Sequence, residues 1–476
     1  MLAQTAVAAL PEIYCECHSQ RFPWSFFLGG AMPLMLPTDA VDLLIEARWL
    51  LPMTAPNTVL IDHAVAVADG KIAGIGPSAS MRARFKARAR VVREQHALLP
   101  GFVNAHTRAA TTLLRGLPAE GPRGRWLHET LSVAAQHCSS PDFVREGTQL
   151  AIAEMLRAGI TSFADLSDYP EESARVAASA RVRAAIALPV ADEPTAWADS
   201  ATAHFGKAER MWDEYRANPW VSLYFAPHAT CGDESLVRVR RVADELDARV
   251  AMQIHESDAE VQYSLAQYGW RPLRRLQDLG LLQPGFTAIQ LNRLDEEDLD
   301  IIGRSGVAAV ACPQSNLRLG SGSCPVARLH AQQTVVGFGS DYPASAGALD
   351  ILAEARAAAL LMNGARAASA GLSSHDVLHM ATLGGATALG LGSVTGSMEP
   401  GKAADLVCVD LGALACQPVV QPHDTLVFSA TREQVSDVWV AGRAAVENRR
   451  LLAFDEQELV ARTLSWAQRL STGTAV

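Results

Sequence analysis

The sequence predicts an α/β fold, a TIM (β/α)8 barrel inserted in a small composite β-sandwich domain. Eight short apolar runs alternate with longer segments of helical periodicity between residues 98 and 395, a pattern typical of a parallel barrel. Segments rich in strand-forming residues and broken by Gly turns flank this region on both sides. A chain of 476 residues with 49% hydrophobic and 19% charged residues is typical of a compact globular protein.

The domain boundaries follow from these changes of pattern. Residues 1–41 are an N-terminal extension, within which Met32 and Met35 are alternative starts. Residues 42–97 and 396–450 together predict the composite β domain, in which Asp69-Gly70-Lys71 indicates a hairpin. Residues 98–395 form the predicted barrel, and residues 451–476 a C-terminal helix and tail.

The barrel strands are identified by their β-branched residues and by the helical patterns between them. Ser140 and Asp233 stand at the expected N-cap positions of two of these helices. The eight predicted strands lie within residues 98–106, 159–166, 184–192, 221–228, 249–256, 287–292, 307–316 and 334–341.

Composition excludes several classes of function. The formal net charge of −10 argues against a nucleic-acid-binding stripe or a polybasic membrane patch, and no apolar run is long enough to predict a membrane-spanning helix. Cys15, Cys17 and His18 lack the second pair of a metal knuckle. We expect reduced thiols, a cytoplasmic location, no nucleic-acid or membrane partner and a small-molecule ligand.

Polar residues gather where the predicted strands end, which in TIM barrels is where the chemistry takes place. Each residue alone has a simpler interpretation, because a single strand His is usually a hydrogen-bonded core residue and an Asp often caps a helix. Their joint position predicts a substrate site or a former catalytic site at one barrel mouth. The residues are His106, Arg108, His228, Gln253, His255, Glu256, Gln290 and Asp341.

The segment Asn104–Gly116 follows the first predicted barrel strand. A His-x-His sequence there would place two imidazoles on one face, because side chains two apart on a strand point the same way. Here the sequence is His106-Thr-Arg108. A guanidinium has no acceptor and keeps its proton, so Arg108 cannot ligate a cation.

Several segments in order along the chain resemble the amidohydrolase superfamily, in the branch of S-adenosylhomocysteine/methylthioadenosine deaminases and triazine chlorohydrolases. The resemblance covers roughly residues 42 to 450. It implies a metal-dependent barrel in a composite β domain, hydrolysis of carbon–nitrogen bonds in nitrogen heterocycles, zinc or another divalent metal, and a dimer or tetramer. The segments are LLPGFVNAHTRAATTLLRG, GTQLAIAEMLRAGITSFAD, FAPHAT, IHESDAEV, CPQSNLRLGSGSCPVARL, GSDYPASAGALDIL and ATLGGATALGLGSVTGSMEPGKAADLVCVDL.

By this resemblance, His106 corresponds to the first metal ligand and Asp341 to the last. Arg108 stands at the second ligand position and Gln253 at the third, where the family has His. Glu256 corresponds to the proton-shuttling Glu. Half of the implied ligand set is therefore absent.

The resemblance also implies roles in substrate binding. Gln290 takes the place of a strand 6 His that positions water and polarises the substrate, and His228 matches a substrate-facing His. The pocket departs from the family at Ala135, where a Glu for a nucleoside ribose is usual. It departs again at Ala311 and Gln314, where the strand 7 motif usually has His and Glu. Purine-nucleoside specificity is therefore not carried over.

These replacements predict a dismantled metal site. Zinc lowers the pKa of bound water from about 15.7 to about 7, on the order of 12 kcal/mol of nucleophile activation, and two ligands cannot hold it. We predict no cofactor, and we predict that Arg108 occupies the place of the ion and pairs with Asp341 or Glu256. The alternative is a shifted site in which His255 joins His106, His228 and Asp341.

Two classes of function remain open from the sequence. In the first, the protein hydrolyses a carbon–nitrogen bond, or a bond to a related leaving group on a heterocycle. The reaction then proceeds either without a metal or with a metal in a rearranged site. Glu256 is then the general acid/base, Asp341 holds the water, and His228, Gln290 and Arg108 bind the substrate. In the second, the protein is a non-catalytic relative that binds a small ligand or pairs with an active paralogue.

Overall fold

The computed structural model describes residues 39–117, 139–364 and 371–472, with side chains described to residue 470. Within these ranges, strands assemble into two eight-stranded sheets, one of them all-parallel and nearly closed. The predicted fold class, a TIM barrel with a separate β domain, is confirmed. No helix in the described ranges is long and apolar enough to cross a membrane.

The first sheet is built from both ends of the described chain. β4 joins the two halves, because it pairs in parallel with β1 and antiparallel with β13. Gly70, in the turn between β2 and β3, has a φ of +75°. The sheet order is β16-β15-β14-β13-β4-β1-β2-β3. Its strands are β1 (Asp39–Leu50), β2 (Leu60–Ala68), β3 (Lys71–Pro77), β4 (Phe85–Pro100), β13 (Leu406–Asp410), β14 (Val435–Val440), β15 (Arg443–Glu447) and β16 (Arg450–Leu451).

The second sheet is the barrel, whose strands pair in parallel in chain order. A parallel bridge between Thr107 and Asp341 joins the last strand segment back to the first. The Asp341 N–H donates to the carbonyl oxygen of His106 at 3.1 Å, so the barrel closes at the proposed site. The strands are β5 (Phe102–Thr107), β6 (Ile160–Asp165), β7 (Arg183–Val190), β8 (Val221–Pro227), β9 (Arg249–Ile254), β10 (Phe286–Gln290), β11 (Ala308–Ala311) and β12 (Val336–Phe338).

The first predicted barrel strand, 98–106, spans two strands of different sheets. Its residues up to Pro100 belong to β4, and the barrel begins at Phe102. Gly101 lies between the two strands, where a Cβ atom would come within 2.1 Å of Thr161 Oγ1. The apolar run is continuous through this change of sheet, so periodicity could not show it.

Helices pack around the barrel. The helix Pro141–Arg157 begins as predicted, because Ser140 Oγ accepts the N–H of Phe143 at 3.2 Å. In the helix after β8, Gly232 is the N-cap and Asp233 lies in the first turn, one residue from its predicted place. The other helices are Ser78–Arg84, Pro170–Ala180, Ala201–Tyr215, Asp233–Leu246, Asp258–Tyr268, Pro272–Asp278, Glu296–Ser305, Pro313–Leu319, Val326–Ala331, Pro343–Ala346, Ile351–Gly364, Ser374–His379, Gly385–Ala388, Pro422–Asp424 and Glu456–Thr472.

The two faces of the barrel strands carry residues of different size. Phe163 and Ile186 pack outward in the large core shared with the helices. Their neighbours Ala164 and Ala185 belong to the separate cluster inside the barrel, together with Tyr224. The interior of the barrel is therefore lined largely by small side chains.

Candidate functional site

The predicted site is centred on His106 and Asp341, at the point where the barrel closes. Both side chains are completely buried, and His106 Nε2 lies 3.5 Å from Asp341 Oδ1. Ser315 Oγ donates to Asp341 Oδ2 at 2.7 Å. Neither ring nitrogen of His106 has a hydrogen-bond partner among the described residues. Two of the predicted site residues are thus brought together, with a buried imidazole that still lacks a partner.

Arg108 does not make the contact predicted for it. Its Nη2 donates to Gln253 Oε1 at 2.9 Å, and its guanidinium carbon lies 4.6 Å from the centre of the Tyr342 ring. No ion pair within the described ranges joins Arg108 to Asp341 or Glu256. The reason is local, because β5 ends at Thr107 and Arg108 no longer follows the alternation of the strand.

The carboxylates nevertheless act on Arg108 at longer range. Burial by itself would lower the pKa of the guanidinium. The electrostatic interactions with nearby acidic groups have the larger effect, so the pKa is raised; these groups are Tyr342, Asp341, Asp168 and Glu256. Arg108 therefore remains a fixed positive charge at the mouth.

The metal implied by the family can be tested against these donors. Gln253 Oε1 already accepts the guanidinium hydrogen bond, and a permanent cation stands at the position that the resemblance assigns to the second ligand. Across the described part of the chain, no group of three or more His, Cys, Asp or Glu side chains is arranged to hold a metal ion. His106 and Asp341 alone do not form a zinc site, so the residues present do not fit the metal.

Two amides, of which Gln290 is completely buried and Gln253 partly buried, lie on neighbouring strands of the mouth. Gln290, the last residue of β10, is completely buried and has a φ of +83°. Neither its side-chain oxygen nor its nitrogen has a partner among the described residues, and the same holds for Gln253 Nε2. Leaving a buried polar group unsatisfied costs about 1–3 kcal/mol. These atoms therefore favour a ligand or water molecules that would complete their hydrogen bonds.

Glu256 follows β9 directly, and neighbouring loops hold its backbone in place. Its N–H donates to Glu260 Oε2 at 2.8 Å. Asn292 Nδ2 donates to its carbonyl oxygen at 3.3 Å, and Asn316 Nδ2 donates to Asn292 Oδ1 at 2.8 Å. Sequence reasoning missed Glu260, Asn292 and Asn316, although the motif CPQSN contains the last of them. The Glu256 side chain is 8% exposed.

His228 lies just beyond β8 and is exposed to solvent. Its Nδ1 lies 2.7 Å from Thr230 Oγ1 and accepts the Thr230 N–H at 3.4 Å, which assigns the ring proton to Nε2. Surrounding protein and the Arg108 guanidinium both lower its pKa. His228 is therefore a neutral imidazole at pH 7, in the same electrostatic environment as Arg108.

The alternative site that includes His255 is wrong. Strand β9 ends at Ile254 and His255 has a φ of +55°, so it does not share the face of Gln253. His255 Nε2 accepts the N–H of Leu273 at 3.1 Å, and Nδ1 lies 3.1 Å from the carbonyl oxygen of Arg293. Both nitrogens thus have partners away from the mouth, and burial lowers the pKa of the ring.

Behind Asp341, the Gln of the strand 7 motif contacts a buried acid. Gln314 donates to Glu354 with its backbone N–H at 2.9 Å and with Nε2 at 3.0 Å. Burial raises the pKa of Glu354 to about 8, although these two hydrogen bonds oppose the shift. A Glu at position 314 would place a like charge there. Ala135, the other pocket departure, lies outside the described residues.

The sequence pattern of the amidohydrolase family matches residues 97–445. The chain belongs to the amidohydrolase family. Among its relatives, a 5-methylthioadenosine/S-adenosylhomocysteine deaminase of Teredinibacter turnerae is 37% identical over 92% of this chain and 99% of that protein. A deaminase of the same name from Saccharophagus degradans is 35% identical over 91% of this chain and 98% of that protein.

Solved structures agree with this assignment. An adenosine deaminase from Xanthomonas campestris with bound zinc has a TM-score of 0.90 and 41% identity, covering 92% of this chain and 100% of that one. Atrazine chlorohydrolase from Arthrobacter aurescens, complexed with zinc, has a TM-score of 0.82 at 23% identity over 89% and 99% of the two chains, and shows the shared fold. The prediction of a hydrolase of carbon–nitrogen bonds, made from the family resemblance, is confirmed by the names of the relatives.

Proposed function

We propose that this amidohydrolase binds a small nitrogen heterocycle at the barrel mouth and hydrolyses a carbon–nitrogen bond, or a bond to a related leaving group, without the metal of its relatives. One observation carries the proposal: Arg108 and Gln253, at two metal-ligand positions, are hydrogen-bonded to each other at 2.9 Å. The guanidinium thereby supplies positive charge beside Asp341 that an ion would otherwise supply.

The substrate class follows from the polar side-chain atoms that lack hydrogen-bond partners among the described residues. An amide such as Gln290 offers one acceptor and two donors, which complements the ring nitrogens and exocyclic groups of a heterocycle. His228 adds a neutral imidazole with a donor at Nε2. These two residues bind the ring, and Arg108 stabilises negative charge that develops on it.

In the reaction, Glu256 accepts a proton from water, and the water oxygen forms a bond to the ring carbon. The bond from that carbon to the leaving group then breaks, and Glu256 returns the proton to an amine leaving group, or to solvent when chloride leaves as the anion. Asp341 orients the water from the buried side of the mouth. Without metal, about 12 kcal/mol of nucleophile activation is missing. We therefore propose activated heterocycles with leaving groups better than ammonia as substrates, rather than ordinary adenosine-like compounds.

A second candidate function is binding without turnover, alone or beside an active paralogue. The same hydrogen bond between Arg108 and Gln253 also favours this second function, because the two side chains are each other's partners without a bound metal or substrate. A homo-oligomer and a cytoplasmic location, expected from the resemblance and the composition, remain predictions beside either function.

The experiment compares turnover and binding on protein purified without added metal and treated with a chelator. Chlorinated triazines and adenosine analogues are offered to wild type and to Glu256→Gln. We expect slow chelator-resistant hydrolysis of the chlorinated ring, lost in Glu256→Gln with ring binding unchanged. Binding without hydrolysis by wild type would support the second candidate. Hydrolysis that is abolished by the chelator would contradict the proposal.

A further inference from the structure

The opposite end of the barrel contains a cavity of about 320 Å³. It is lined by residues near the N-terminal ends of β8, β9 and β10, including Val221, Arg249 and Thr287. The proposed reaction takes place at the other end, where Gln290 and Asp341 lie. We infer that this cavity is a second binding site, for a small aromatic carboxylate whose anionic group pairs with Arg249.

The cavity extends into the barrel because the interior side chains are small. Ala105, Ala164 and Ala185 line it, from three successive strands. Barrel interiors are usually filled by Val, Ile and Leu, so alanines at these positions leave space for a ring. Pockets of roughly 300 to 1,000 Å³ are typical of small-molecule sites, and this volume suits one ring with few substituents.

Arg249 supplies the charge. Within the described residues it forms no ion pair, and Nη2 donates to the carbonyl oxygen of Ala388 at 3.0 Å. Burial lowers the pKa of its guanidinium, with no carboxylate opposing that shift. A partly buried guanidinium without a counter-ion has donors in a fork that matches a carboxylate.

The remaining lining fits an aromatic ring. Tyr224 and Trp212 contribute to the cavity wall, and the Tyr224 hydroxyl donates to the carbonyl oxygen of Asp165 at 3.4 Å. Two exposed charges of opposite sign, Arg216 and Asp247, also line the cavity. Because they offset each other, Arg249 determines the preference for an anion.

Arg249 also has a structural contact that a test must separate from ligand binding. The carbonyl oxygen of Ala388 accepts from Arg249 and also from Thr287 Oγ1, at 2.8 Å. Both side chains thus hold the segment that begins at Ala388 against the barrel. Thr287→Val removes one of these hydrogen bonds and leaves the charge in place, so it is the matched control.

The probe is 4-fluorobenzoate, titrated into the full-length protein and followed by fluorine NMR, with neutral 4-fluorobenzamide beside it. We expect saturable benzoate binding, at least tenfold tighter than that of the benzamide. Arg249→Gln should weaken it at least tenfold, and Thr287→Val should change it less than twofold. Arg108→Gln, at the mouth, should leave it unchanged, whatever its effect on the proposed reaction. Melting curves verify that each variant is folded.

Three outcomes would overturn the inference. Absence of saturable benzoate binding would show that the cavity does not bind small aromatic carboxylates. Loss of benzoate binding in Arg108→Gln but not in Arg249→Gln would show that the ligand binds at the barrel mouth. Equal loss of benzoate binding in Thr287→Val and Arg249→Gln would show that Arg249 acts only through its hydrogen bond to the segment that begins at Ala388.

Discussion

The two sides of the barrel mouth differ in what their polar residues contact. On the closing side, formed by β5 and residues 340–341, backbone and side-chain hydrogen bonds join the two segments, although neither ring nitrogen of His106 has a partner among the described residues. On the amide side, formed by Gln253 of β9 and Gln290 of β10, three side-chain polar atoms have no partner among the described residues.

This difference offers a reason why only half of the ligand set that the family resemblance implies is replaced. Asn104 donates to Ser340 Oγ at 2.8 Å and accepts the Ser340 N–H at 3.0 Å, while Thr107 Oγ1 donates to the Asp341 carbonyl oxygen at 3.1 Å. These contacts close the barrel and keep His106 and Asp341 in place without any metal. Within the described ranges, the Gln290 side chain has no hydrogen bond and that of Gln253 is bonded to Arg108 alone, so both side chains can change without opening the barrel.

The largest expected effect comes from breaking the closing side. Asn104→Ala removes both hydrogen bonds to Ser340 and leaves a buried N–H without a partner. We expect it to lower the free energy of unfolding by about 2–4 kcal/mol. Gln290→Leu is the control on the amide side, because neither side-chain polar atom of Gln290 has a partner among the described residues, and its expected loss is less than about 1 kcal/mol. Urea denaturation measures both, and equal losses would contradict the distinction between the two sides.

Arg108→Gln acts between the two sides, with an intermediate effect. It removes the hydrogen bond to Gln253 and the contact with the Tyr342 ring, so we expect a loss of about 1–3 kcal/mol. The pKa of His228 should rise, because the Arg108 charge lowers it now. NMR titration of the His228 ring measures this shift. An unchanged His228 pKa would mean that the guanidinium does not act on the mouth.

These contacts show how far sequence reasoning reaches. The fold class and the placement of His106 and Asp341 in one site could be predicted, because strand periodicity and family motifs indicate them. The direction of Arg108 could not, because it depends on the residue at which β5 ends. The same holds for His255, whose backbone leaves β9 with a positive φ. Strand ends depend on tertiary packing, which a pattern of residue types does not contain.

A smaller expected effect is the pH dependence of stability that Glu354, behind the closing side, contributes. The folded pKa of Glu354 is raised to about 8, so between the unfolded value and pH 8 the unfolded chain binds fewer protons than the folded one. The free energy of unfolding should therefore fall as pH rises through this range. Glu354→Gln cannot ionise and should flatten that part of the profile. Parallel profiles of wild type and Glu354→Gln would show that Glu354 ionises normally.

The central claim is that the amide side and Arg108, rather than the closing side, prevent a metal site. The most direct measurement is zinc titration by calorimetry on chelator-treated wild type and on the triple variant Arg108→His, Gln253→His and Gln290→His. The triple variant should bind one zinc ion, because His106 and Asp341 already stand in place and the three new imidazoles replace a cation and two amides. Wild type and each single variant should bind none tightly. Stoichiometric zinc in wild type, or none in the triple variant, would contradict this account.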